Sequence, residues 1–252
     1  MKNFKEDFKK LFKKFQNSEN FAFSRFSDGE LRIMQNTELK LAGDHNIVLG
    51  QKNSASYARE THKHFIPSEH TFYREKLMDA YRFKKHNYYV GLSCRCCVGD
   101  KDFNQMLEWY EGDTSSEFLT WSNLMLNGNY SDYKSDFIPE YSNKKIVLIC
   151  NENANINKLP FSIYKDFRVG YNCFINNYSI IEEIKNWIDQ DNINGYVFLF
   201  SASSLSNLLI HQLYKHRDTN TYIDIGTTLN HFLGIDYNRG YLSGGNNKIC
   251  IW

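Results

Sequence analysis

Short β-rich apolar runs alternate with segments of helical period along most of this 252-residue chain, and few folds accept that pattern. The runs fall at residues 21–26, 88–93, 145–150, 167–171, 196–200 and 222–225. Apolar residues recur at three- and four-residue intervals at 73–84, 103–110, 118–126, 180–189, 205–216 and 228–233. The alternation predicts an α/β fold, a Rossmann-like and mainly parallel sheet with helices on both faces. Ligands of such sheets bind outside the carboxyl ends of the strands. No internal repeat, low-complexity tract or Pro/Gly/Ser-rich linker interrupts the pattern. A single domain over 1–252 is therefore expected, with an N-terminal helix at 1–17, a core at 21–234 and a C-terminal tail at 235–252.

The chain opens on an amphipathic basic segment. Phe4, Phe8, Leu11, Phe12 and Phe15 share one helical face and Lys5, Lys9, Lys10, Lys13 and Lys14 the other. The pattern predicts a peripheral helix packed on the domain; weak contact with a membrane surface is the alternative use of the same lysines. The formal net charge of +1 gives no support for a nucleic acid partner. No apolar run reads as a signal peptide or membrane span, which points to the cytoplasm, with the inner face of a membrane as the peripheral alternative. Asn129-Tyr130-Ser131 and Asn177-Tyr178-Ser179 match the glycosylation acceptor pattern, without weight in a protein that is not secreted.

The first β-rich run ends abruptly in chemistry. Phe23-Ser24-Arg25-Phe26-Ser27-Asp28-Gly29-Glu30 passes from apolar residues to an acid, a glycine and a second acid. At a strand's carboxyl end two carboxylates can converge, and oxygen ligands there suit Mg²⁺ or Mn²⁺ holding a diphosphate. Arg25 adds a phosphate-pairing cation. The same residues also spell a capping box, in which Glu30 reaches back to the Ser27 amide and Asp28 favours the positive end of a helix.

Arg-Phe-x-Asp-Gly-Glu near the N-terminus resembles the signature of the GT-D family of glycosyltransferases. The resemblance implies an Asp-x-Glu motif, here Asp28 and Glu30, that serves a metal and a nucleotide-sugar diphosphate. Ser27 stands where the family usually has glycine, and its hydroxyl can donate a hydrogen bond in place of a close backbone approach. The family similarly has a small-residue turn after a late strand, then a strand ending in Asp-Ile-Gly. Here the turn is Ser201-Ala202-Ser203-Ser204 and the strand end is Asp224-Ile225-Gly226.

Read as residues alone, the serine turn can hold phosphate or simply cap the helix that follows. Asp224 is a ribose or sugar ligand, or a turn acid bonding its own loop. Asn151-Glu152-Asn153 is placed to read a base, ribose or sugar hydroxyl, or forms an Asx turn. Asp44 faces the same cleft or sits in a turn. Trp121 and Tyr241 are candidates to stack on sugar or base. The six cysteines, Cys94, Cys96, Cys97, Cys150, Cys173 and Cys250, read as free thiols. Cys94-Arg95-Cys96-Cys97 suggests zinc at first sight but finds no second Cys-x-x-Cys or His-x-x-x-His partner in the sequence. His62 with His64 and His211 with His216 lack the spacing of helical ligand pairs. There is no Gly-x-Ser-x-Gly elbow.

Together these features describe a metal-assisted transferase. It is expected to move a sugar from a nucleotide-diphosphate donor, a UDP-sugar by preference, to a glycan or glycoconjugate hydroxyl. Asp28 and Glu30 would hold Mn²⁺ or Mg²⁺ and carry the chemistry. Arg25, Ser27, Gly29, Asn151, Ser201, Ser203, Ser204 and Asp224 would bind the donor, and Asp44, Glu152 and Asp224 are the candidate general bases. A metal-dependent phosphohydrolase of a nucleotide or sugar phosphate, and a non-catalytic scaffold subunit of the same fold, are the alternatives.

Overall fold

The computed structural model describes residues 3–41, 46–48, 51–53, 63–235, 239–244 and 249–252; Asp44 and His62 lie outside them. Helix α1 (Phe4–Gln16) precedes β1 (Ala22–Phe26) and α2 (Asp28–Met34), and four short strands follow: β2 (Leu39–Leu41), β3 (Asn46–Val48), β4 (Gln51–Asn53) and β5 (Lys63–Phe65). Next come α3 (Thr71–Arg82), β6 (Tyr88–Leu92), α4 (Arg95–Tyr110) and β7 (Leu119–Trp121). A stretch of short turns holds α5 (Tyr130–Asp132) and α6 (Ile138–Glu140). The remainder is β8 (Ile146–Asn151), β9 (Lys165–Val169), α7 (Cys173–Asn176), α8 (Ile180–Gln190), β10 (Val197–Phe200), α9 (Leu205–His216), β11 (Thr221–Asp224) and α10 (Asn230–Leu233).

Seven of the strands form one sheet in the order β7-β6-β1-β11-β10-β8-β9, every neighbour parallel. All seven carboxyl ends therefore share one edge. The chain builds outward from β1 to β7, crosses to β8, and returns to insert β10 and β11 beside β1. That reversal creates a crevice at the carboxyl ends of β1 and β11, the place where open α/β sheets bind ligands. The short strands β4-β3-β2-β5 form a separate antiparallel sheet, which the strand pattern of the sequence did not anticipate.

The inner strands of the large sheet are buried on both faces, which explains their apolar runs, whereas the edge strand β9, Lys-Asp-Phe-Arg-Val, is partly exposed. Side chains still alternate between two cores. Ala22, Phe26, Val147, Ile149, Phe198, Phe200 and Tyr222 pack with residues of α3, α4, α8 and α9. Phe21, Phe23, Ile146, Leu148, Val197, Leu199 and Ile223 pack with α1, α10 and the 124–141 turns.

Two local expectations are corrected. Residues 118–126, expected as a helix, contain β7 followed by turns: the Val90 amide donates to the Phe118 carbonyl and Leu119 to Trp121 pair with Val90 to Leu92. Pairing along the exposed edge of β6 overrides the helical spacing, helped by the β preference of Thr120 and Trp121. Helix α4 begins eight residues earlier than its periodicity indicates, because Gly99 at φ +81° joins a first turn to the main helix and breaks the spacing.

Helix α1 packs on the body, as expected. Asn3 caps it through the Lys5 and Glu6 amides, Glu6 and Asp7 sit in its first turn, and Lys13 and Lys14 in its last, an order that suits the helix dipole. Phe4, Phe8, Leu11 and Phe15 are buried, with Phe8 5.6 Å from Phe137 and Phe15 5.5 Å from Tyr141 between ring centroids. Lys5 pairs with Asp132, Lys10 with Glu117 and Lys14 with Glu19 on the exposed side; such surface pairs add little stability. No helix among the described residues is long and apolar enough to cross a membrane. Truncating Phe8 to alanine should cost about 3–5 kcal/mol, as for other buried phenylalanines, read as a lower urea midpoint. An unchanged midpoint would mean that α1 does not belong to the cooperative core.

Candidate active site

A cavity of about 710 Å³ opens at the carboxyl edge of the large sheet. Arg25, Ser27, Asp28, Gly29 and Glu30 reach it from the end of β1 and the start of α2, Asn151 from β8, Ser201 and Ser203 from the turn after β10, and Asp224 from the end of β11. Lys63, Thr227, Arg239 and Tyr241 also line it; none of these four was singled out as a ligand-binding residue except Tyr241.

Asp28 and Glu30 do not converge. The strand ends at Phe26 and α2 begins at Asp28, so the two acids lie two positions apart on a helix and point to different sides. Asp28 is exposed to the cavity, and no donor among the described residues satisfies it. Glu30 is 5 % exposed and turns inward. Its Oε1 accepts from Lys63 Nζ at 2.7 Å and from the Ser204 hydroxyl, and its Oε2 accepts from the Ser27 amide at 3.0 Å and the Ser27 hydroxyl at 2.8 Å. A carboxylate offers about four acceptor directions, and here all four are taken. Glu30, expected to share a metal with Asp28, instead closes the capping box and carries a buried ammonium. The open carboxylate of Asp28 suits Mg²⁺ or Mn²⁺, ions that commonly take one or two protein carboxylates and complete their shell with substrate phosphates and water.

Lys63 comes from β5 in the small sheet, and Gly29 lets it in. A Cβ on Gly29 would stand 2.7 Å from Lys63 Nζ, so a side chain there would push the ammonium off Glu30. Lys63 Nζ also donates to Ser204 Oγ at 2.8 Å. Burial alone would raise the Glu30 carboxyl, but the Lys63 charge and hydrogen bond, with those of Ser204 and Ser27, bring it down to about 2.

A second ion pair closes the crevice between β1 and β11. Arg25 Nη1 lies 3.5 Å from Asp224 Oδ1, and Arg25 Nε donates to the Ser122 carbonyl. The guanidinium fits because residue 226 is glycine: a Cβ there would meet Nη1 at 2.0 Å, and its φ of +52° suits glycine. Asp224 Oδ1 also accepts from the Gly226 amide at 2.9 Å, the turn role weighed from the sequence. Burial pushes the Asp224 carboxyl up to about 6, against the pull of Arg25 and the Gly226 amide. Asn207 of α9 fastens this end of β1, donating to Ser24 Oγ at 3.1 Å and to the Arg25 carbonyl at 2.7 Å.

The remaining candidates divide. Asn151 lines the cavity while its Oδ1 accepts from the Asn153 amide at 2.8 Å, and Glu152 is exposed but does not line the cavity. Ser203 lines it at φ +53°, whereas Ser204 is buried in the Lys63–Glu30 network. Trp121 is core, 1 % exposed and packed on Phe4 and Trp252. Tyr241 does reach the cavity, where its hydroxyl bonds Thr227.

No family model and no curated protein sequence matches this chain. Solved structures do. A glycosyltransferase (DUF1792) from Streptococcus sanguinis superposes with a TM-score of 0.59 at 12% identity, covering 96% of this chain and 85% of its own. A structure of the domain of unknown function 1792, described as having a distinct glycosyltransferase fold, superposes with a TM-score of 0.58 at 13% identity over 94% of this chain and 82% of its own. A selenomethionine-substituted structure of domain 1792 gives 0.57 at 13% identity with the same coverage. The chain therefore has the GT-D fold of the DUF1792 glycosyltransferases.

The depressed Glu30 carboxyl makes the Lys63 pair a pH-dependent source of stability. Its contribution is complete above the ordinary value of 4.5 and is lost as pH falls toward about 2; the difference corresponds to about 3 kcal/mol. Asp224 works in the opposite sense, its raised carboxyl costing stability as pH rises from about 4 to 6. Lys63→Met leaves Glu30 buried without its counter-ion and should cost about 3–5 kcal/mol at pH 7. In urea titrations from pH 7 to 4 that cost should shrink, because the stranded carboxyl takes up a proton. A Lys63→Met protein as stable as wild type at pH 7 would refute the pairing.

Proposed function

We propose that this protein is a glycosyltransferase that moves a sugar from a nucleotide-diphosphate sugar, a UDP-sugar by preference, to a hydroxyl of a glycan or glycoconjugate acceptor. One observation carries the reading. Two buried cations, Arg25 and Lys63, an open carboxylate, Asp28, and the hydroxyl-rich start of α9 converge on one cavity at the carboxyl edge of a sheet with a glycosyltransferase fold. The cavity volume falls in the range that encloses cofactor-sized ligands.

In this reading the diphosphate lies over the Ser201–Ser204 turn, where the beginning of α9 favours negative charge. Arg25 and Lys63 face the developing charge of the leaving nucleotide diphosphate. Each is held in place beforehand, Arg25 by Asp224 and Ser122, Lys63 by Glu30 and Ser204, so neither reorganises as the bond to the sugar breaks. Glu30 is then a positioning residue that works through Lys63. A Mg²⁺ or Mn²⁺ ion would be held by the Asp28 carboxylate together with the donor's phosphate oxygens, and would supply a Lewis acid to the leaving group. Asn151 and Tyr241, which line the cavity, would meet the base, ribose or sugar. Of the acids considered as general base, Asp224 lines the cavity.

The test is a thermal-shift panel of nucleotide sugars with and without Mn²⁺, followed by measurement of nucleoside diphosphate release with glycan acceptors. A UDP-sugar should raise the melting temperature, and UDP release should depend on an acceptor. Asp28→Asn should lower turnover by about 100-fold or more, equivalent to about 3 kcal/mol of transition-state stabilisation, with an unchanged melting temperature because the side chain is exposed. Acceptor-independent release of inorganic phosphate or UMP would establish the phosphohydrolase alternative instead, and an intact fold that binds no nucleotide sugar would favour the scaffold.

A further inference from the structure

The sequence offers Cys94-Arg95-Cys96-Cys97 without a second ligand pair, and the fold supplies what is missing. Cys94 ends the connection from β6, and Cys96 and Cys97 lie in the first turn of α4. Cys250 comes from the other end of the chain, 153 positions beyond Cys97 by the numbering. The four Sγ atoms all lie within 4.8 Å of one another, Cys94 standing 3.0 Å from Cys96 and 3.2 Å from Cys97. A tetrahedral zinc with Zn–S bonds of about 2.3 Å needs sulfurs about 3.8 Å apart, which is the middle of this range. Thiolates spread around an iron–sulfur cluster must stand further apart than one ion requires, so the spacing selects a mononuclear site.

We propose that Cys94, Cys96, Cys97 and Cys250 form a structural zinc site that fastens the C-terminal residues to the rim of the cavity. Four protein ligands close the tetrahedron and leave no open position, the arrangement of a structural rather than a catalytic zinc. A second observation supports the ligand role of Cys97, which is the most exposed of the four. Asn123 Nδ2 donates to Cys97 Sγ at 3.3 Å, the kind of outer hydrogen bond that orients a metal ligand. Cys250 is not brought in by the thiols alone, since Trp252 packs edge-on against Trp121 and Phe103 at 5.3 and 5.5 Å. The site is thus partly formed before the ion arrives.

Loading needs no electron transfer. Zn²⁺ binds four sulfurs as the thiols release their protons to solvent, which makes affinity fall with pH. The consequence for the rest of the molecule follows from position. Cys97, Val98 and Asn123 line the cavity, and so do Arg239, Gly240 and Tyr241. An ion joining Cys250 to the β6–α4 connection ties the C-terminal part of the chain to residues that line the cavity.

Full-length protein produced in zinc-supplemented medium and desalted should carry one zinc per chain by plasma mass spectrometry. Replacing that zinc with Co²⁺ should give the intense visible bands of tetrahedral thiolate coordination together with a sulfur-to-cobalt charge-transfer band. The four thiols should resist a thiol reagent until a chelator is added, and chelation should lower the melting temperature. Cys250→Ser should weaken metal retention by more than about 100-fold, beyond the loss typical of an outer-shell partner, while Cys150→Ser, in β8, keeps its zinc. If Cys250→Ser does not fold, the half-buried Cys96 provides the same test as Cys96→Ser. The proposal is overturned by wild-type protein that holds well under one zinc per chain and gives no tetrahedral Co²⁺ spectrum, or by a native disulfide among these four residues in a non-reducing peptide map.

Discussion

The arrangement of the site depends on one buried ion pair, Lys63 with Glu30. It joins three parts of the chain that have no backbone pairing with one another: β5 of the small sheet, the first turn of α2 and the start of α9. Taking an ammonium and a carboxylate out of water costs several kcal/mol for each, and their attraction recovers that cost only when the remaining lone pairs and protons are also satisfied. Ser27 and Ser204 meet that condition. Each oxygen of Glu30 accepts two hydrogen bonds, and Lys63 has a second acceptor in Ser204. A network with so many simultaneous requirements tolerates one geometry, and that geometry fixes where the small sheet meets the carboxyl edge of the large one.

The same pair explains the Ser-Asp-Gly-Glu sequence residue by residue. Helical geometry sends Asp28 and Glu30 to different sides, so one acid is open to the cavity while the other is consumed in holding a cation. Gly29 between them is read from the sequence as a donor-binding residue. In the structure its missing side chain has a definite use, because Lys63 Nζ occupies the space that a Cβ would need. Ser27, at the position where the GT-D family usually has glycine, spends both its amide and its hydroxyl on Glu30. Capping box and binding site are therefore not alternatives here: the box is what supports the charged wall of the cavity.

How much of this was legible depended on whether the signal was local. Six of the seven strands of the large sheet were readable from apolar runs bounded by polar turns, because strands buried on both faces are mostly apolar and their few charges, such as Arg25 and Asp224, fall near the carboxyl ends. β7 was not, since Leu119-Thr120-Trp121 becomes a strand only by pairing with β6. The serine turn, Asp224 and the Asp28 region were legible as strand ends, and parallel topology brings all of them to one edge. Lys63 was not, because Lys-His-Phe in a three-residue strand carries no periodicity, and its partner lies 33 positions away. Cys250 was unreadable for the same reason: the search for a zinc partner looked for a second local pair, and the fold delivers a single distant thiol.

The two buried cations of the cavity are thus each met by an acid before any ligand arrives, Lys63 by Glu30 and Arg25 by Asp224, and the consequence concerns preorganisation rather than net charge. An unpaired lysine or arginine in this pocket would sample many rotamers and remain hydrated, and a bound diphosphate would have to order and desolvate it. The acids have already imposed that ordering, at a cost borne by folding. The two pairs differ in how firmly they hold. Glu30 is brought down to about 2, whereas Asp224, longer in its contact with Arg25, is pushed up to about 6. In the geometry, Lys63 Nζ has two acceptors at 2.7 and 2.8 Å, Glu30 and Ser204, whereas Arg25 stands 3.5 Å from Asp224 and is fastened as well by the Ser122 carbonyl. Both cations are therefore ordered by contacts made within the fold, and a ligand entering the cavity would meet them already in position.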